Sequence, residues 1–178
     1  MADHKRELLW MILAAVVFTR EAHSCTVSRI ITNLEMLSAA DTVVRARAVE
    51  YASPPGDPSI RTTGVPDSRI RFKVIEIIRG PALSDLVLPG YLVNRDDFNE
   101  LLPPYKFVRP DGRAGSCFAN SYRADRQFLL FLNKPKDGEF TVNWAPLAPV
   151  NEQLHLGDDP WLLWVREQAR KAAGAPQL

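Results

Sequence analysis

Arg69–Arg79, RIRFKVIEIIR, carries the strongest strand signal in the chain. Ile70, Phe72 and Val74 recur with period two, so they share one face of an extended segment while Arg71 and Lys73 take the other. The apolar positions then shift to Ile75 and Ile77. Such a phase slip predicts a bulge or strong coiling, which lets one strand serve both sides of a small barrel. Gly80-Pro81 ends the segment.

Upstream, Thr42–Glu50 (TVVRARAVE) alternates in the same way, Val44, Ala46 and Ala48 against Arg45 and Arg47. One face packs and the other meets water. Thr32–Ala40 (TNLEMLSAA) predicts a short helix: Thr32 or Asn33 can cap it and Glu35 sits in its first turn. Tyr51–Ser68, rich in Pro, Gly, Ser and Thr, is expected to be a loop. Downstream, Asp85–Val93 (DLVLPGYLV) is a strand bent or placed at an edge by Pro89-Gly90. Asn94–Ser116 is irregular, with Pro103-Pro104, Pro110 and Asp111-Gly112. Gln127–Leu132 (QFLLFL) is almost continuously apolar, as a buried central strand is, and Glu139–Trp144 pairs back on it as a hairpin. Asp159 and Pro160 are the N-cap and first position of a last helix reaching about Ala173, with Trp161, Leu162, Val165, Ala169 and Ala172 on one stripe and Trp161 and Trp164 anchoring it. The expected class is all-β with flanking helices, and the five-stranded OB-fold barrel has this size and strand count.

The N-terminus has the composition of an export signal. Lys5 and Arg6 precede an apolar run, Leu8–Phe18, and small residues at Ala22 and Ser24 suit cleavage just before Cys25. The run is shorter than the ~20 residues that a spanning helix needs, so no membrane span is expected after cleavage. About 154 residues would remain, enough for one core. The expected organisation is a signal peptide at 1–24, an OB-like domain at 25–150 and a C-terminal helical extension at 151–178 packing on the barrel. The product is expected to be secreted, extracellular or periplasmic. Its formal net charge of +1 is against a nucleic-acid partner, which calls for clustered Lys and Arg. The chain has 2 cysteines, Cys25 and Cys117, both in the exported part, and an even count in an oxidising compartment reads as one disulfide. Closing a loop of that length stabilises by ~4–5 kcal/mol in the chain-entropy treatment.

Taken in order, these pieces resemble the N-terminal domain of the tissue inhibitors of metalloproteinases and the wider netrin-like modules. The resemblance rests on Cys25-Thr26 at the expected mature N-terminus, the strand Ala40–Val49, the segment Phe72–Pro81 (FKVIEIIRGP), the Cys117 segment, the apolar strand Phe128–Leu132 and the hairpin to Glu139–Val142. It spans about Cys25 to Pro149. It implies an OB-like barrel whose N-terminal Cys is tied to a Cys before the fourth strand, places that Cys25 and Cys117 occupy. The family's other disulfides have no counterpart here, since Val27 and Ser38 stand near two of the expected cysteines.

By the same resemblance the module would act by protein–protein interaction, including inhibition of an extracellular zinc metalloprotease. The free α-amine and carbonyl of Cys25 would fill the open position of the partner's catalytic zinc, Thr26 would enter its specificity pocket, and Val27, Ser28, Gly115 and Ser116 would form the surrounding ridge. The alternative is an envelope-associated structural or adhesive module with no inhibitory activity, in which a Cys25–Cys117 bond merely staples the N-terminus down. No catalytic residue, intrinsic metal or cofactor is expected. The exported part has a single histidine, His155, read as solvent-facing or capping, too few for a zinc site of several His ligands. A Cys nucleophile would be oxidised, and no nucleophile elbow or Gly-rich oxyanion loop accompanies Ser and Asp. Asp96-Asp97 reads as loop surface and Asp158-Asp159 as a helix cap. Asp96–Arg113, which mixes Phe98, Tyr105 and Phe107 with Lys106, Arg109 and Arg113, is expected to be a long loop laying its aromatics on the barrel.

Overall fold

The computed structural model describes residues 27–57, 65–136, 138–155 and 157–174, so the expected signal segment, Cys25 and Thr26 lie outside the described residues. The chain is mostly β with helices at both ends of the described part, built around an antiparallel sheet.

A helix, α1 (Asn33–Ala39), opens the fold. Its start is a capping box: Thr32 Oγ1 accepts from Glu35 N, and Glu35 Oε2 accepts from Thr32 N at 2.7 Å. Met36 and Leu37 face the core. Then come β1 (Thr42–Ser53), β2 (Arg69–Arg79) and β3 (Asp85–Pro89), each antiparallel to its predecessor. Strand β1 runs three residues into the expected loop. The phase slip in β2 appears as bulges: Ile75 and Ile78 are skipped in the ladder to β1, as are Val49 and Ala52 on the other strand. The face does not invert, for Ile70 and Phe72 are buried while Ile75 and Ile77 stay about one-third exposed.

After Gly90 the chain leaves this sheet. Tyr91–Val93 is a separate short strand, β4, parallel to β5 (Ser121–Arg123), so the expected single strand 85–93 is two strands in two sheets. Gly90 marks the break for a packing reason: a Cβ there would lie 2.5 Å from Cε2 of buried Tyr122 and 3.0 Å from the Asn120 carbonyl. Tyr122 cannot retreat, because its ring meets Phe72 and Phe128 edge-on at 5.0 Å each. Gly90→Ala is therefore expected to cost about 1–3 kcal/mol through overpacking, read as a lowered midpoint in thermal denaturation.

Strand β6 (Gln127–Lys136) is the buried central strand that its apolar run predicts; it pairs with β1 along one edge and with β7 (Glu139–Val142) on the other. A further strand, β8 (Asn151–Gln153), pairs with Phe128–Leu130 of β6. The segment expected to be purely a helical extension thus begins with a strand of the main sheet and turns helical at α2 (Pro160–Gly174). The hydrogen-bonded order is β3-β2-β1-β6-β7 with β8 also on β6, and Cα atoms of the outer strands β3 and β7 come within 8 Å of one another.

Asp159 caps α2 as expected, its Oδ1 accepting from Trp161 N at 2.9 Å. Buried Trp161, Leu162 and Val165 lay the helix on the core, and Arg166 grips Glu76 of β2 with two bonds, Nε–Oε1 at 2.8 Å and Nη2–Oε2 at 2.5 Å. That guanidinium, with help from Arg45, holds the Glu76 carboxyl below its ordinary value. No helix among the described residues is long and apolar enough to cross a membrane.

Candidate functional site

The chain around Cys117 is held in an unusual shape. Gly112–Ser116 is a short, kinked turn in which Gly115 takes φ +107°, a conformation open to glycine, and Cys117 itself is left-handed at φ +65°. Ser116 Oγ lies 2.7 Å from the Phe118 carbonyl, to which it donates. The Cys117 carbonyl accepts from Leu147 N at 2.8 Å, and the Leu147 carbonyl accepts in turn from Val108 N. Gly115, Ser116 and Cys117, three of the residues expected at the binding surface or its disulfide, are half-buried here. Cys117 is disulfide-bonded. Of the other expected ridge residues, Val27 is half-buried and Ser28 exposed. Beside Cys117, Phe118 meets Trp144 edge-on at 5.4 Å, and with Val65, Pro66 and Asn120 they line an apolar hollow of about 70 Å³.

The turn adjoins a largely buried polar cluster. Asp111, at the entry to the turn, accepts from Asn120 N, Ser121 N and Ser121 Oγ, each at 3.0 Å, and so ties the turn to β5. The fully buried guanidinium of Arg109 donates from Nη1 to Asp97 Oδ2 at 2.5 Å, from Nε to the Asn151 carbonyl at 3.0 Å and from Nη2 to the Ala119 carbonyl at 3.2 Å. It also lies over Tyr122 and Phe128, 5.4 and 5.5 Å from their centroids. Glu152 of β8, fully buried, accepts from Arg109 N at 3.0 Å and from Asn99 Nδ2 at 2.9 Å. Burial pushes its carboxyl up to about 7, against the opposing pull of Arg109.

Asp97 is thus the largely covered partner of a buried arginine rather than loop surface; its side chain is 13% exposed. Arg109, read in the sequence as part of a mixed basic and aromatic loop, is the cluster's centre. Asp96 is the more exposed neighbour and holds Arg123, Arg126 and Gln153. The loop does lay an aromatic on the core: Tyr105 packs 5.4 Å from Trp161. His155 is exposed and stacks on Phe98 at 4.0 Å, while its backbone N–H joins the Asp159 cap. Glu152, Asn99 and Asn151 went unnoticed in the sequence. Asn151, Glu152 and Gln153 are all buried, so β8 is covered on both faces and no alternation singles out Glu152.

Among the described residues no three His, Cys, Asp or Glu side chains gather as a metal site. No model of a known protein family matches the chain, and no curated protein is significantly similar to it.

Proposed function

We propose that this chain is an exported binding module of the metalloproteinase-inhibitor and netrin-like kind, with an OB-like barrel that presents its processed N-terminus on the ridge before Cys117. The observation that carries the reading is the disulfide-bonded state of Cys117 at the end of a glycine-dependent turn, in a chain whose only other cysteine is Cys25. A bond between the two would hold residue 25 close to residue 117 and its neighbours Gly115 and Ser116, since bonded cysteines keep their Cα atoms within about 7 Å. A barrel is favoured by the approach of the outer strands β3 and β7 and by the ion pair of Arg69 on β2 with Glu139 on β7, 2.5 Å, which spans that seam.

The sharper form of the proposal is inhibition of a zinc protease. An uncharged α-amine and the carbonyl of Cys25 together offer a five-membered chelate to the open position of the partner's zinc. Thr26 then points into the partner's pocket, with Val27, Ser28, Gly115 and Ser116 around it. The test compares the mature protein with a form carrying one alanine inserted before Cys25 against a panel of zinc proteases. Chelation by residue 25 predicts that the insertion raises the inhibition constant at least a hundredfold. Equal potency of the two forms defeats the mechanism, and inhibition by neither favours the structural or adhesive module.

A further inference from the structure

We propose that Glu152, Arg109 and Asp97 form a proton-operated clamp on the 94–116 loop, closed while Glu152 carries a proton and loosened when the proton leaves. The inference concerns the fold itself and holds for any partner. Its basis is a charge count in a dry site. Each of the three nitrogens of the Arg109 side chain donates one bond, to Asp97 and to the carbonyls of Asn151 and Ala119. Arg109 pairs directly with Asp97; its hydrogen bond to Glu152 comes from the backbone N–H, and its charge offsets the burial of Glu152 only in part. An ionised Glu152 would be a second buried anion with no cation of its own, held by two neutral donors. That arrangement is costly in a low-dielectric interior, and the group responds by keeping its proton.

The neighbours on every side agree. The loop turns Asp97, Tyr105 and Arg109 toward Glu152. Strand β6 opposes Glu152 with Leu129, β5 supplies the buried phenol of Tyr122, and at the start of α2 Asp159 acts electrostatically on Tyr105, as Glu152 does. Arg109 is thus the only cation among these described neighbours. The upward displacement of the Glu152 carboxyl, to about 7 from an ordinary 4.5, accords with this count.

The device matters because of what it joins. Glu152 sits on β8 in the main sheet, while both of its bonds go to the loop, at Asn99 and Arg109. Asn99 also holds the Phe107 carbonyl at 2.8 Å, and Asp97 accepts from Asp111 N at 3.2 Å, the residue that begins the turn carrying Gly115 and Ser116. An ionised Glu152 keeps both bonds to the loop but is a charge held in a dry site, so the closed loop is less stable once the proton leaves. When the loop opens, water reaches Glu152 and its acidity returns to the ordinary value, so opening releases the proton and is favoured at higher pH.

Hydrogen exchange of the full chain, followed by mass spectrometry over peptides covering residues 97–112, tests the clamp. After correction for intrinsic exchange, the opening constant is expected to rise roughly tenfold from pH 6 to pH 8 in the wild type. In Glu152→Gln, which keeps the shape and cannot ionise, it is expected to stay flat. A flat wild-type profile, or the same rise in the variant, overturns the proposal. Direct titration of the wild-type Glu152 carboxyl by carbon-13 resonance needs no variant: a midpoint near neutrality supports the clamp, and one near 4.5 overturns it.

Discussion

Replacing Arg109 by methionine is expected to cost the fold about 3–5 kcal/mol, the range found when one partner of a buried ion pair is removed. Methionine keeps most of the length and the apolar contact with Tyr122 and Phe128 but supplies no donor. Asp97 loses its counter-charge, and the Asn151 carbonyl loses its bond from the guanidinium, an acceptor left unsatisfied at a cost of about 1–3 kcal/mol where water cannot reach, while the Ala119 carbonyl keeps its bond from Asn151 Nδ2. Urea unfolding of the disulfide-intact protein would read the loss as a lower midpoint at unchanged slope. Arg123→Met provides the contrast: that arginine also pairs with a carboxylate, Asp96, but both side chains are about 30% exposed, so its loss is expected to stay near 1 kcal/mol. Equal effects for the two variants would mean that burial does not set the strength of these pairs.

Truncating Trp161 to alanine is expected to cost a similar ~3–5 kcal/mol, here by leaving a cavity. The indole is fully buried and joins three parts of the molecule: it stacks on Trp164 of α2 at 5.2 Å, meets Tyr105 of the long loop at 5.4 Å and reaches Phe131 of β6 at 6.4 Å. Its Nε1 has no hydrogen-bond partner among the described residues, so the loss is one of packing. The expected sign in limited proteolysis is early cleavage within residues 160–174 as α2 detaches. Leu163→Ala, on the half-exposed side of the same helix, should change stability by no more than about 0.5 kcal/mol. A Trp161→Ala protein within 1 kcal/mol of wild type would contradict the view that this side chain fastens the helix.

The parts of the fold legible in the sequence are those where one local rule acts alone. Strand β2 has the bounds that its alternation predicts, its phase slip coincides with the skipped Ile75, and α1 and α2 begin at the caps that Thr32 and Asp159 supply. Strands β4, β5 and β8 are three residues each, too short for a period to register, and their pairing is set by tertiary contact. The break at Gly90 follows from the ring of Tyr122, a residue 32 positions away in the chain. Short strand β5 also intervenes between Cys117 and β6, so the cysteine precedes a small strand before the long apolar one.

The buried cluster was hidden for a different reason. Charged residues in a proline-rich loop ordinarily face water, and Asp97, Arg109 and Glu152 are scattered over 56 positions; burial becomes favourable only once each finds its partner. Cysteine counting drew attention to Cys117, which is disulfide-bonded, while the positive φ at Gly115 and Cys117 is a property of the folded chain.

The central claim, that the exported chain begins at Cys25 and that this residue is bonded to Cys117, can be put to one measurement. Protein recovered from its native compartment is digested without reduction and its peptides are weighed. The account requires a cross-linked pair joining an unmodified N-terminal Cys25 peptide to the peptide containing Cys117. An intact leader, an acylated Cys25 or two free thiols would contradict it.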